Sequence, residues 1–154
     1  MGRMAAIQSE IEHGRRRALE RIGELVAEEA RSEFGTYQPA VADLPAWAPL
    51  ADDTLNDWQG HPGKITLGYA SEGTDNPLLR EGDQRDSISH TVESDREVVI
   101  GSPDIRMVYS ELGTESEPPR STLARAAIKS TPEALRIAAE EALGGLVGGR
   151  PRLT

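Results

Sequence analysis

Ser87-Ile88-Ser89-His90-Thr91-Val92, Glu93-Ser94-Asp95-Arg96-Glu97 and Val98-Val99-Ile100-Gly101 follow one another directly, and a period of two runs through the first run and resumes in the third. Ile88, His90 and Val92 alternate with Ser87, Ser89 and Thr91, and Val98 and Ile100 alternate again after the Ser94-Asp95 turn. Successive side chains of an extended chain point to opposite faces, so the pattern predicts a β-hairpin with one apolar face. That face needs a cover, because a hairpin alone buries too little. From about 5 to 34, Ile11, Leu19, Ile22, Leu25, Val26 and Ala30 recur at helical spacing among charged residues, and Gly35 supplies the stop. This N-terminal helix is the expected cover.

The chain on either side follows from local rules. Pro39, Pro45 and Pro49 around Trp47 predict an extended connector over 35–50, with the tryptophan anchoring it to the body. A short helix is expected over 52–58, and Ile65, Leu67 and Tyr69 alternate within a glycine-rich stretch that reads as a strand or hairpin arm over 60–76. The segment 105–112 is too short to classify, and 113–118 is a polar loop. Two helices are expected to close the chain. The first runs over about 119–129. The second opens with Thr131 as N-cap, Pro132 at the first helical position and Glu133 near the positive dipole end. It then carries Leu135, Ala138, Ala139, Ala142, Leu143 and Leu146 on one face, and Gly144, Gly145, Gly148 and Gly149 end it. The expected class is α+β, with a long N-terminal helix and C-terminal helices packed on a small antiparallel β-sheet with extended loops. Residues 1–17 read as a mobile helical arm, 18–147 as one domain and 148–154 as a flexible tail.

Composition narrows the function. With 154 residues, 37% hydrophobic and 4% aromatic, the core must be thin; a modest two-layer domain standing alone is the plainer reading, and packing completed in part by neighbouring subunits is the other. A formal charge of −9 opposes electrostatic capture of nucleic acid, whose phosphates call for lysine and arginine. Cysteine is absent, which removes disulfides, thiolate metal sites and cysteine nucleophiles. No run approaches the roughly 20 apolar residues of a membrane span.

Catalytic chemistry finds little support. His13, His61 and His90 have no partner at metal-ligand spacing, and no phosphate-cradling glycine motif occurs. Ser87 and His90, three apart on a strand, point to opposite faces, which argues against a nucleophile and base pair. Asp52-Asp53, Asp83, Asp86 and Glu140-Glu141 read as solvated acids. The second C-terminal helix carries Arg136 as the basic residue of its body, which is poor equipment for reading a DNA groove.

Three segments remain. They are Trp47-Ala48-Pro49-Leu50 with Asp53-Thr54-Leu55, then Pro77-Leu78-Leu79-Arg80 leading into Arg85-Asp86-Ser87-Ile88, then Tyr109-Ser110-Glu111-Leu112-Gly113-Thr114 followed by Pro118-Pro119-Arg120 and Leu123. In this order, with a hairpin between the second and third and a terminal helix after, the chain resembles the tailed-phage neck and tail-completion proteins of the virion-morphogenesis family over residues 45–145. It departs at Glu81-Gly82-Asp83-Gln84, where the family commonly has threonine-glycine-alanine-leucine, and at Ser121-Thr122-Leu123, where an aromatic is usual.

The resemblance implies a small α+β neck-protein domain of the tail terminator type. It implies a structural virion protein, not an enzyme and without cofactor or metal, that closes a ring at the head-tail junction of a tailed phage or phage-derived particle. Such a ring terminates or completes the tail and joins it to the head, and it is assembled in the cytoplasm of the bacterial host. The implied partners are further copies of the chain in a hexameric ring, a head-closure or connector protein and the major tail tube protein, with no specific nucleic acid and no membrane. For that role Leu78, Leu79, Arg80, Asp86 and Ile88 are expected to fix the passage from loop to strand, and Tyr109, Glu111, Pro119, Arg120 and Leu123 to position the later loop and helix. Ile88 and Leu123 serve equally as ordinary core residues. A head-closure subunit on the portal side is the alternative. More distant are a small DNA-binding regulator built on the two C-terminal helices and a hydrolase using His90.

Overall fold

The computed structural model describes residues 2–51, 76–79 and 82–148, with side chains over 4–5, 7–51, 76–79 and 82–144. The expected elements over 52–58 and 60–76, together with Arg80, His61 and the tail beyond 148, lie outside the described residues. The elements are α1 (Gly2–Ser32), a single turn α2 (Asp83–Asp86), β1 (Ser89–Val92), β2 (Val98–Gly101), α3 (Ile105–Leu112) and α4 (Leu123–Gly148). The class is α+β: a long N-terminal helix, a C-terminal helix and a small antiparallel two-stranded sheet.

The hairpin lies on α1 as the alternation predicts. β1 and β2 pair with Ser89 opposite Gly101, His90 opposite Ile100, Thr91 opposite Val99 and Val92 opposite Val98. His90, Val92, Val98 and Ile100 are half-buried while Ser89, Thr91 and Val99 are exposed. The half-buried set is therefore two directly opposed cross-strand pairs, which is how an antiparallel ribbon concentrates apolar contact on one face. Arg31 of α1 donates from Nη2 to the Ile88 carbonyl at 2.9 Å and so fixes where the strand begins.

α1 also carries α4, which runs antiparallel to it. The expected boundary at residue 17 is not where packing starts, because Gly14 is already buried. A Cβ placed there would sit 3.5 Å from the Glu141 carbonyl of α4. Arg17 and Arg21 reach Glu141 at 3.3 and 3.1 Å, and Lys129 reaches Glu29 and Glu33 at 3.2 and 2.9 Å. Ser130 and Ile137 between these ion pairs, and Ala126 before them, are buried. The core gathers Val26, Ala27, Ala30, Phe34, Ile88, Met107 and Ala126, with Ile22, Leu78, Leu79, Ile100 and Leu123 packed on it.

The C-terminal region corrects the sequence reading. Two helices broken at Thr131-Pro132 were expected, and there is one, α4, with Pro132 inside it. A proline in a helix interior removes one backbone hydrogen bond and costs about 3 kcal/mol. The break does not occur because α4 is held to α1 on both sides of it, by Lys129 before and by Ile137 and Glu141 after. Thr131, read as an N-cap, instead donates its hydroxyl to the Ala127 carbonyl at 2.8 Å. With no turn there, the helix-turn-helix arrangement behind the DNA-binding alternative does not exist.

At Gly23 the hairpin lies tight against α1. A Cβ at this position would lie 2.5 Å from His90 Cδ2 and 2.9 Å from Val98 Cγ2. Gly23→Ala is therefore expected to destabilise the fold by about 1–3 kcal/mol through overpacking. Gly14→Ala meets only ordinary contact and should stabilise by about 0.5–1 kcal/mol through reduced chain entropy. Urea unfolding midpoints of the two variants check this pair; equal shifts of the same sign would contradict the close approach at Gly23.

Candidate interaction surface

α3 is an eight-residue helix whose ends are tied down and whose outer face is open. Asp104 caps it, accepting from the Arg106 N–H at 2.9 Å and from the Arg106 guanidinium as well. That hydrogen bonding holds the Asp104 carboxyl below its ordinary range. Met107 faces inward and is buried, with the Gln84 amide donating to its Sδ at 3.2 Å and to Ser110 Oγ at 2.9 Å. Gly113 closes the helix at φ +74, where a Cβ would come within 2.9 Å of the Glu117 carbonyl and the Pro119 nitrogen. Only glycine suits that turn.

Ile105, Val108, Tyr109 and Leu112, at spacings of three and four, make the outer stripe of α3 and are between 47% and 76% exposed. A second apolar face stands on α4. Leu135, Ala138, Ala139, Ala142 and Leu143 share one side of the helix, as their spacing predicts, but that side is turned to solvent, with Leu135 66% and Leu143 61% exposed. The face α4 gives to α1 carries Ala126, Ser130 and Ile137, with Lys129 paired to Glu29 and Glu33 and Glu141 paired to Arg17 and Arg21. Leu146 lies beyond the described side chains.

The residues singled out from the sequence fall into three groups. Leu78, Leu79, Ile88 and Leu123 converge on the core, and Leu78 takes φ +64 to turn the chain into it. Glu111, Arg120 and Pro119 meet at the junction of α3 and α4. The Glu111 carboxylate accepts from Ser121 Oγ and from the Thr122 and Leu123 N–H groups, each at 2.6 Å, and from Thr122 Oγ1 at 2.9 Å. It thereby caps α4 and places negative charge at its positive end. Asp86 and Tyr109 are exposed, and Asp86 is paired with Arg85 at 2.7 Å.

Arg125 was not foreseen. It is almost fully buried, and it donates to the carbonyls of Pro39 and, at 2.7 Å, Pro45 while lying 6.0 Å from the Trp47 ring centre. Arg120 does the same for Ala48 and Pro49 at 3.1 and 3.3 Å. The available signal was the proline content of 39–49: prolines carry carbonyls but no N–H, so such a strap needs donors from elsewhere. Trp47 is buried with its Nε1 donating to Ser121, which places the anchor where the sequence reading put it.

The catalytic readings find no assembled site among the described residues. Ser87 pairs with Ser102 Oγ at 2.6 Å and the Gln84 carbonyl at 2.7 Å, whereas His90 faces Glu20 and Glu24 at 3.1 and 3.5 Å. The structure keeps the two apart. No group of three or more potential metal-ligating side chains is placed to hold an ion, and no helix is long and apolar enough to cross a membrane, both among the described residues. Neither a protein-family model, a curated protein nor a solved structure matches this chain.

Glu33 is the one strongly displaced acid among the described residues. Burial pushes its carboxyl up to about 7, against the lowering effect of Lys129 and Arg125. Burial lowers Lys129 in turn, but its hydrogen bonds to Glu33 and Glu29 outweigh this and leave it raised. Because the folded Glu33 holds its proton to higher pH than the unfolded one, its contribution is complete below about 4.5 and is lost as pH rises through about 7. Glu33→Gln is expected to match wild type near pH 4 and to exceed it by on the order of 2 kcal/mol above pH 7. Thermal melts across that range test this; a gain independent of pH would contradict it. Separately, Glu111→Ala should destabilise the chain by about 1–3 kcal/mol by orphaning its donors, and Glu111→Gln by less, as read from urea unfolding.

Proposed function

We propose that the chain is a structural subunit of the head-tail junction of a tailed phage or phage-derived particle, of the tail terminator or tail-completion type, acting as one member of a ring. The observation that carries this reading is the outward apolar surface of α3 and α4 on a subunit with a thin core. Buried side chains account for the fold without these faces, and exposed apolar surface of that kind marks interaction sites. The segments that resemble the virion-morphogenesis family add to it. Glu111, Arg120 and Leu123 form the joint that sets α3 against α4, and Leu78, Leu79 and Ile88 form the turn into the hairpin. An acidic surface suits such a ring, because DNA can pass its lumen without being held.

Ring partners in this reading are further copies of the chain, a head-closure or connector protein on one side and the tail tube protein on the other. Deleting the gene from a phage that carries it and imaging the particles is the test. Over-long or unattached tails beside DNA-filled heads are expected. Heads that lose their DNA would move the subunit to the portal side as a head-closure protein, and normal particles would overturn the proposal.

A further inference from the structure

The ammonium of Lys129 on α4 stands among three side chains from the end of α1 and the start of the strap. It lies 2.9 Å from Glu33 Oε1 and 3.2 Å from Glu29 Oε1, and it donates to the side-chain oxygen of Gln38 at 3.1 Å. Glu33 is 1% exposed and Gln38 8%. Among the described residues no other donor reaches the Glu33 carboxyl oxygens. An amine, a carboxamide and a buried acid gathered about one nitrogen are what an amide exchange requires: a nucleophile, an acyl carbon and a proton relay. We infer that the chain forms an isopeptide bond between Lys129 Nζ and Gln38 Cδ, with Glu33 carrying the protons and ammonia as the leaving group.

Geometry selects Gln38 as the acyl donor. Its Nε2 donates to the Glu33 and Thr36 carbonyls at 3.1 Å each, which fixes the amide plane. Arg125 holds the strap beside it through the Pro39 and Pro45 carbonyls. The target carbon is one bond beyond the oxygen that Lys129 already touches. Lys129 ends a flexible four-carbon stem and is 30% exposed, so its nitrogen can swing from that oxygen onto the face of Cδ, and ammonia has a way out. Ionised Glu29 and Glu33 are the poorer targets, because their negative charge opposes an incoming electron pair.

Atoms and charge are conserved through the reaction. Lys129 passes one proton to the Glu33 carboxylate, and burial, which pushes that carboxyl up to about 7, makes Glu33 an able acceptor. The freed lone pair of Nζ forms the bond to Cδ while the π pair of the carbonyl moves to its oxygen. Glu33 then protonates Nε2, the Cδ–Nε2 bond breaks with its electron pair leaving on ammonia, the carbonyl reforms, and Nζ returns a proton to Glu33. An ion pair and a primary amide become a secondary amide, a neutral Glu33 and free ammonia, so buried charges give way to uncharged groups. Burial lowers Lys129, but its hydrogen bonds to Glu33 and Glu29 outweigh that and keep it largely as ammonium. The bond therefore accrues slowly on standing, once per molecule, and freshly folded chain carries the open trio.

Lys129 and Gln38 are 91 positions apart, so the bond closes a long loop and restricts the unfolded chain as a disulfide does, in a chain without cysteine. It owes nothing to the junction role. Intact-mass spectrometry of full-length protein, fresh and after days at neutral pH, is the test. Ageing should lower the mass by one ammonia, and trypsin should then release a branched peptide joining the segment that carries Gln38 to 126–136, uncut after Lys129. Lys129→Arg and Gln38→Met should keep full mass, and Glu33→Leu should slow the loss about 100-fold or more, each variant first shown to be folded by circular dichroism. Protein kept unfolded in guanidinium should not react. An unchanged wild-type mass overturns the inference, whatever the variants do. So do loss of ammonia without the branched peptide, and loss of one water, which would place the bond on Glu29 or Glu33.

Discussion

Close approach to α1 is the constraint on which the rest of this structure depends. Two elements are laid on one helix at glycines: α4 brings its Glu141 carbonyl over Gly14, and the hairpin brings the His90 ring over Gly23. A side chain at Gly23 would lift the hairpin from the helix, and with it Ile88 and Ile100 from the core. Ala27, Ala30 and Ala126 are three of the seven buried core residues, so short distances contribute to the core's stability beside the large side chains of Phe34, Ile88 and Met107. Glycines in a helix interior lower its intrinsic stability, which the packing they allow must offset.

Polar groups inside this thin body are handled by long side chains that bridge elements. Arg120 and Arg125 supply donors to the carbonyls of the proline-containing strap over 39–49, and Trp47 fills the space beneath it. Glu111 takes up the first donors of α4 and so joins α3 to that helix with a charged hinge of fixed geometry. Glu33 is the costly member of this set, a buried carboxylate beside Lys129 whose proton is held to unusually high pH. These bridges spend most of the charged side chains near the α3 and α4 junction on internal contacts. An apolar stripe stays outward on each of α3 and α4, beside the charged Arg106, Glu133, Arg136 and Glu140, and the proposed function draws on those stripes.

The hairpin, its inward face, the cover by α1 and the anchoring role of Trp47 were legible because each rests on near neighbours in sequence or on a strong period. His90 was legible as a packed strand residue for the same reason. The break at Thr131-Pro132 was misread, although every local sign favoured it: an N-cap residue, a proline and an acid in the order that begins a helix. Packing against α1 on both sides of Pro132 outweighs those local terms. Arg125 was missed because its partners, the carbonyls of Pro39 and Pro45, are backbone atoms far away in the chain that no side-chain pattern announces.

By itself the sequence determined the α+β class, the strand alternation with its turn, the helical periods of α1 and of the apolar side of α4, and the lack of thiol chemistry. These are properties of spacing and composition, and they survive whatever the chain packs against. Tertiary structure alone decided which side of α4 faces inward. Two faces of that helix competed, an apolar one and one of small and charged residues, and α1 presented arginines and glutamates at matching intervals. Ion pairing and close packing took the second face, and so Leu135 and Leu143 were left to solvent.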